Sequence, residues 1–463
     1  MNKNSLLLIF QLLFVSNCFA FSSKFNNYWV FGTNVALDFN QTPTSVQNRP
    51  MFTYDNTASA CDDNGNLLFY TNGVNVYTNT NAIMQNGSGL MGSLTGGQTA
   101  LIVPVNNKLT YIFTVPEFGS QAGLRYSTVN ISLNNFQGAV TAKNILLHTP
   151  STEKLAAYFD QGNNRFWVIT HEFGNANFNA YKVDANGLDH VPVTSTVGIA
   201  NSGGSYGYDH GAMGQLVISQ DGSHIANACE YSNEIQLFDF DKQTGIISNP
   251  ITIPNYSMAW GVAFSPNGSK LYFTQWTNTL VYQFDLSVYN ANAIQSSATL
   301  VGSATGTGSY NVGYMQLAPD GIIYIARYGT HYLATVSDPN ATGSLCNFNA
   351  NGLNLGSGIS GAGLSTGPVF SDLLTEINEI GKTEIISLTY PNPAQNHFSI
   401  ELKEVMNNNI SLQFYNSIGN LISLPFIIDF NSIKVNCEGL AKGMYNFLIA
   451  DKNNIARGKV IIE

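Results

Sequence analysis

The sequence predicts an all-β chain in which a β-propeller is followed by a small C-terminal β-sandwich. Three observations predict it. A unit of strand, turn, strand and strand recurs, clearest in Trp260 to Leu286. There Val262 to Phe264, Lys270 to Thr274 and Leu280 to Asp285 read as strands, and Ser265-Pro266-Asn267-Gly268 as the turn. Pro presets φ and Gly accepts positive φ, so this tetrapeptide reverses a chain that its alternating, aromatic flanks extend. Copies turning near Gly65, Asn107, Asn163, Gly222, Gly268 and Gly321 lie 42, 56, 59, 46 and 53 residues apart, the length of a propeller blade with variable loops. Finally, short alternating segments separated by Asn, Gly or Pro run from Leu388 to the end, the pattern of a sandwich of about seven strands.

In chain order, Met1 to Ala20 carries Lys3 as its only charge, an apolar core from Leu6 to Val15, and the exit Cys18-Phe19-Ala20. This is the grammar of a secretory signal cut between Ala20 and Phe21, with a lipoprotein signal at Cys18 as the rival. No later apolar run is long enough to span a bilayer, so no transmembrane segment is expected. Asn27 to Asn40 is an aromatic strand pair with no blade of its own. It is expected to close the ring with partners between Gly352 and Phe370, because an uncapped propeller would leave strand edges exposed. Six turn-bearing copies and this composite blade make seven, with six or eight as the neighbouring counts. Ser371 to Glu384 gathers charges and loses glycine, which marks a linker. The expected domains are therefore a signal at 1–20, a propeller at 21–370, a linker at 371–387 and a sandwich at 388–463.

Composition excludes one class of partner. Only 10% of residues are charged, 12% are aromatic, and the net charge is −10. Nucleic-acid binding needs clustered Lys and Arg, and there is no such cluster. The four cysteines after the signal, Cys61, Cys229, Cys346 and Cys437, are scattered along a chain whose core needs no staples, so they read as buried thiols.

Two resemblances follow from specific residues. Tyr28-Trp29-Val30-Phe31-Gly32, Leu37-Asp38-Phe39-Asn40 and Asp63 to Gly73 (DNGNLLFYTNG) open the first. Gln98 to Pro104, Gly123 to Ser127, Trp167 to Glu172 and Leu237 to Asp241 then follow in the same order. Together they resemble the N-terminal propeller of gliding-motility-associated, type IX cargo proteins secreted by Bacteroidota. The chain departs from that pattern at Gly363 to Pro368, where similar proteins read Gly-Leu-Pro, which leaves the bounds of the closing strand open. In the tail, Tyr390-Pro391-Asn392-Pro393, Gly419, Gly443-Met444-Tyr445 and Lys459 to Glu463 resemble the blocks of a type A sorting domain of the type IX secretion system. This resemblance implies Sec export followed by outer-membrane passage, with the secretion machinery and a surface sortase as partners and the cell surface or medium as destination.

Catalytic chemistry is harder to find. Propellers carry function on inner strands and on the loops between blades. The candidates there are His171 and Glu172 after Phe166 to Ile169, and Arg327 and His331 around Tyr328-Gly329, as tentative contacts for a ligand. Strand alternation points His171 and Glu172 to opposite sides, and a structural role for His171 competes with a functional one. Asp209-His210 is a third polar cluster, equally readable as a turn. There is no His-x-His, Cys-x-x-Cys or His-Glu-x-x-His spacing, and Asp62 to Asn66 reads as a hairpin turn, so neither metal nor cofactor is expected. Gly203 to Gly207 matches a nucleophile elbow only loosely. The reading is a secreted or surface propeller that binds glycan or protein. The alternatives are an extracellular hydrolase, lyase or lactonase acting on polysaccharide, and a structural part of surface adhesion or gliding.

Overall fold

The structure, a computed structural model, describes residues 22–204, 209–276, 278–306, 312–370, 383–384, 387–403, 411–415, 421–422, 424–429, 432–450 and 454–463. The signal with Ala20 and Phe21, most of the linker, and Gly419 lie outside them. The chain divides into two compact units, Met1–Glu376 and Ile377–Glu463.

The first unit is a propeller of seven blades. Blade 1 has three strands, Tyr28–Phe31, Val35–Asp38 and Ser45–Gln47. Blade 2 runs Ala58–Cys61, Leu67–Thr71, Asn75–Thr78 and Ile83–Ser88, and blade 3 runs Ala100–Pro104, Leu109–Thr114, Leu124–Asn130 and Ala139–His148. Blade 4 has Ser151–Asp160, Arg165–Glu172 and Asn177–Asp184, with Gly187–Leu188 and Val193–Thr196 both pairing to its third strand. Blade 5 is Leu216–Ile218, His224–Cys229, Glu234–Asp241 and Ile246–Pro254. Blade 6 is Ala259–Phe264, Lys270–Gln275, Leu280–Asp285 and Thr299–Ser303. Blade 7 is Val312–Leu317, Ile323–Arg327, Tyr332–Val336 and Phe348–Asn354.

The first strands of blades 2, 3, 4 and 6 are buried along their whole length, whereas outer strands such as Ile83–Ser88 alternate between buried and exposed residues. Two-sided burial is what a strand lining the axis of a toroid requires. The predicted turns are as expected: Gly268 sits at φ 70° and its amide closes on the Ser265 carbonyl at 2.9 Å.

The ring closes in two ways. Trp29 and Phe39 of blade 1 pack edge-on against Tyr324 of blade 7, with centroids 6.0 and 5.9 Å away. In addition, the segment after blade 7 returns along the innermost position of blade 1. Thr33 and Ile359 exchange both backbone bonds, at 2.8 and 3.0 Å. The Tyr314 amide donates to the Ala362 carbonyl at 2.8 Å, and the Ala362 amide to that of Tyr54 at 2.6 Å. Thr57 binds Leu364 and Thr366 on either side, at 3.1 and 2.7 Å. The closing segment thus begins beyond Leu355, since Gly352 belongs to the outer strand of blade 7. It ends at Val369–Phe370, which pairs in parallel with Tyr158 and Phe159 on the inner strand of blade 4. Gly313 is the residue this close approach demands, because a Cβ there would stand 1.9 Å from the Ala362 carbonyl oxygen.

The second unit is a sandwich. One sheet has Thr383–Glu384, Asn454–Ile462, Gly443–Ala450, Ser411–Tyr415 and Leu421–Ile422. The other has Ser387–Tyr390, His397–Leu402, Ser432–Asn436 and Phe426–Asp429. Phe398, Ile400, Phe414, Phe447, Ile449 and Val460 form the core between them. All four cysteines of the described residues are buried and free.

Candidate functional site

Three amides close the channel. Gln98, at the start of the inner strand of blade 3, reaches past blade 4 and binds both backbone groups of Leu216, at 2.9 and 2.8 Å. Gln215 does the same to Met315 of blade 7, at 2.6 and 3.1 Å, and also accepts from the Val262 amide at 3.0 Å. Asn56 accepts from the Leu364 amide at 2.8 Å and donates to the Thr366 hydroxyl at 2.9 Å. Each side chain stands in for a strand, satisfying backbone groups that the wide ring leaves unpaired. On the far side of these amides a cavity of about 40 Å³ remains, lined by residues including Leu155, Ala157, Leu216, Phe264 and Thr366. That is room for water and little more.

The other end of the axis, where the inner strands begin, is different in kind. Glu153 and Lys154 lie near the start of the inner strand of blade 4 and are fully buried. The Glu153 carboxylate accepts from the Gly97 amide at 2.6 Å and the Phe118 amide at 2.8 Å. Burial nevertheless outweighs these bonds and pushes its pKa up to about 7. The Lys154 ammonium donates to the Met213 and Gly214 carbonyls at 3.1 and 3.2 Å and to the Ala228 carbonyl, and burial brings it down to about 8. Asp55, at the start of blade 2, is pushed well above the carboxylate range by burial, with Glu153 and Glu117 adding to it. Glu230 is raised by burial against the opposing effect of His210, whose Nδ1 lies 2.9 Å from it.

Tyr314 of blade 7 brings a fully buried phenol to the same place. A Cβ on Gly97 would stand 2.1 Å from its hydroxyl and 3.0 Å from Glu153 Oε2, so the glycine makes room for both groups at once. Burial pushes the pKa of the Tyr314 phenol well above the ordinary value, with Glu153, Asp55 and Glu230 adding to the rise and the Gly214 amide opposing it. Trp260 stacks on Tyr314 with centroids 5.2 Å apart, and Trp276 stacks on Trp260 at 4.6 Å. This gathering of buried acids with raised pKa values and a cation with a lowered one, drawn from several blades, makes this end of the axis the candidate site.

The residues singled out from sequence lie on two blades at this same end, His171, Glu172 and Arg327 at the ends of second strands and His331 in the loop after Arg327. His171 is fully buried, donates from Nδ1 to the Glu172 carbonyl at 2.6 Å, and meets the Phe178 ring edge-on at 4.4 Å. Burial lowers its pKa to about 3. Glu172 points the other way, as alternation requires. Burial alone would raise it, but Asn175, Asn179 and Asn177 donate to it at 2.7, 2.9 and 3.1 Å and hold it below the ordinary value. On blade 7, Arg327 donates to the Thr305 and Ala350 carbonyls and to the Asn351 side chain, and His331 donates to the Gly358 carbonyl at 2.6 Å. The two pairs belong to separate hydrogen-bond networks. Asp55, Glu153, Lys154, Glu230, Trp260 and Tyr314 were not among the candidates. The adjacent charges Glu153-Lys154 at the head of the apolar run Leu155 to Phe159, in a chain so poor in charge, were the available signal. Among the described residues no group of His, Cys, Asp and Glu is arranged to hold a metal ion.

In the second unit the first and last motif blocks meet. Asn392 donates to the Lys459 carbonyl at 3.0 Å and accepts from the Ile461 amide at 2.9 Å. Tyr445 donates to the Ala441 carbonyl at 2.8 Å, and Gly443 opens the hairpin strand that pairs with Lys459 to Ile462. Tyr390 ends the strand Ser387–Tyr390, and Pro391 to Pro393 bend the chain into this clasp, which joins Asn392 to Ile461 across 69 positions of sequence. Residues 388–463 match the family of secretion system C-terminal sorting domains. The tail is a type IX sorting domain. This sorting domain directs export by type IX secretion to the cell surface or the extracellular space and implies contact with that machinery. No helix of the described residues is long and apolar enough to cross a membrane.

Among solved structures, a candidate 6-phosphogluconolactonase from Bacteroides fragilis is 13% identical, with 74% of this chain and 99% of that chain covered and a TM-score of 0.48. The Pseudomonas aeruginosa periplasmic gluconolactonase is 13% identical over 56% of this chain and 73% of its own, with a TM-score of 0.38. Kluyveromyces lactis Hsv2 is 9% identical over 68% and 91%, with a TM-score of 0.40. A comparison with curated proteins finds no match.

Proposed function

We propose that this protein is a secreted or cell-surface propeller that binds a glycan or protein ligand at the end of the axis where its inner strands begin. One observation carries the reading: titratable and aromatic side chains from several blades converge there, while the three amides close the channel behind them. A closed channel makes that end a blind site, suited to recognising the tip of a ligand. The test is a glycan array together with a pull-down from envelope and medium fractions, using the full chain. Retention of a ligand that competes with itself in solution is expected. Absence of any ligand, alongside turnover of a polysaccharide, would reverse the reading.

That reversal has an observation of its own. Asp55, whose carboxyl burial pushes well above its ordinary value, and Glu153, pushed up to about 7, are the kind of pair that supplies a general acid and a general base. Reducing-end release from polysaccharides and ring opening of lactones, compared between wild type and Glu153→Gln, separates enzyme from binder.

A further inference from the structure

We propose that the edge strand Phe426–Asp429 of the sorting domain is a docking edge, to which the type IX secretion machinery adds a strand of its own. The strand pairs with Ser432–Asn436 on one side and, among the described residues, with nothing on the other. All four of its residues are exposed, and three in succession are large and apolar, Phe426, Ile427 and Ile428 at 40%, 72% and 43%. Proteins ordinarily blunt such an edge with charge, proline or a covering loop, because it is a template for another chain.

The register decides what this edge offers. The Asn436 amide donates to the Pro425 carbonyl at 2.9 Å, so the hydrogen-bonded pairs fall at Pro425, Ile427 and Asp429. Phe426 and Ile428 therefore turn their N–H and C=O groups away from Ser432–Asn436 and toward the open edge. Pro425 and Asp429 flank the run but face the other way, and neither blocks it. The side chains of Phe426 and Ile428 share a face with Val435 and Ile433, core residues that are each 1% exposed, yet they are themselves left uncovered. At this corner the described residues leave the core one strand short. An added strand with alternating apolar residues would take up the free amides and carbonyls and cover both side chains at once. The occupant follows from the domain, which matches a family of secretion sorting domains and so implies contact with the export machinery. Such a contact has to be given up when export is complete, and an edge of four residues suits one that forms and releases. A permanent dimer through it would fall well short of the roughly 20–30 residues a side that stable interfaces bury.

The experiment follows the full chain in a secreting cell. Ile428→Pro removes an amide that only an added strand could use, and the double variant Phe426→Thr with Ile428→Thr keeps strand propensity while removing the apolar side chains. Each is expected to slow surface delivery about fivefold to tenfold, with the protein accumulating in the periplasm. Leu388→Thr, which changes an exposed residue at the other edge of the same sheet, should leave delivery unchanged. A photo-crosslinking residue at position 427 should trap a component of the type IX machinery, identified by mass spectrometry, and adding Ile428→Pro should abolish that adduct. Far-ultraviolet spectra of the purified variants check folding; if Ile428→Pro fails to fold, the double variant carries the test. Normal delivery of the folded variants, an equal defect in Leu388→Thr, an adduct only with a second copy of the chain, or no adduct with the machinery would overturn the docking edge.

Discussion

Replacing Gln215 by Leu tests whether the channel amides are structural. The two side chains are close in volume, so packing changes little and the loss is polar. Gln215 is 2% exposed and satisfies the Met315 carbonyl, the Met315 amide and the Val262 amide. Leu leaves all three backbone groups buried without partners, at about 1–3 kcal/mol each. Because the adjoining cavity can admit a water to one of them, the net cost is about 2–6 kcal/mol. A unit of about 350 residues has an unfolding entropy of about 0.7 kcal/mol/K, so the midpoint should fall by about 3–8 °C. Differential scanning calorimetry of the full chain reads this directly. Gln98→Leu, which orphans only the two Leu216 groups, should fall by less. A drop under about 1 °C for Gln215→Leu would refute the reasoning.

Other predictions follow from burial and charge. Phe370→Ala removes a ring that packs at 6.3, 5.6 and 5.9 Å from those of Phe25, Phe159 and Phe166, and should cost about 3–5 kcal/mol in a urea titration. The exposed Phe136→Ala is the control and should change little. Glu153 has a folded pKa near 7 against an ordinary value of 4.5. Below 4.5 it is protonated in both states; as pH rises toward 7 the unfolded chain ionises first, so stability is progressively lost, by about 3 kcal/mol in full. Urea midpoints at pH 5 and pH 7.5 should therefore differ more in wild type than in Glu153→Gln, and equal sensitivity would rule the buried acid out. Deleting residues 388–463 should hold the protein in the periplasm, as read by fractionation and immunoblotting; normal surface delivery would contradict the sorting role.

Much of the scaffold was legible because it is local chemistry repeated. Turn residues and alternation placed the strands of blade 6 to within a few residues of Ala259–Phe264, Lys270–Gln275 and Leu280–Asp285. The orphan pair at Asn27 to Asn40 signalled a closing partner near the end of the propeller, since a sheet edge cannot be left open. The structure narrows that partner to Ile359 onward and adds a third strand, Ser45–Gln47, to the pair. Sorting was legible for a related reason: its blocks stand in fixed order, and the Asn392 clasp shows why the first and the last go together.

The site was less legible, and the reason is distance along the chain. Residues 171, 172, 327 and 331 stand out in sequence because their neighbours are conspicuous, yet each is engaged by nearby backbone or amide groups. Asp55, Glu153, Trp260 and Tyr314 come from four blades, and no spacing rule relates residues that meet only on an axis of rotation. By itself the sequence determined the fold class, the sorting tail and the export route, because these depend on periodicity and on motif order. Only the tertiary structure decided that the channel is closed by Asn56, Gln98 and Gln215 and that buried acids gather at one end of it, because both depend on which inner strands the closed ring makes neighbours.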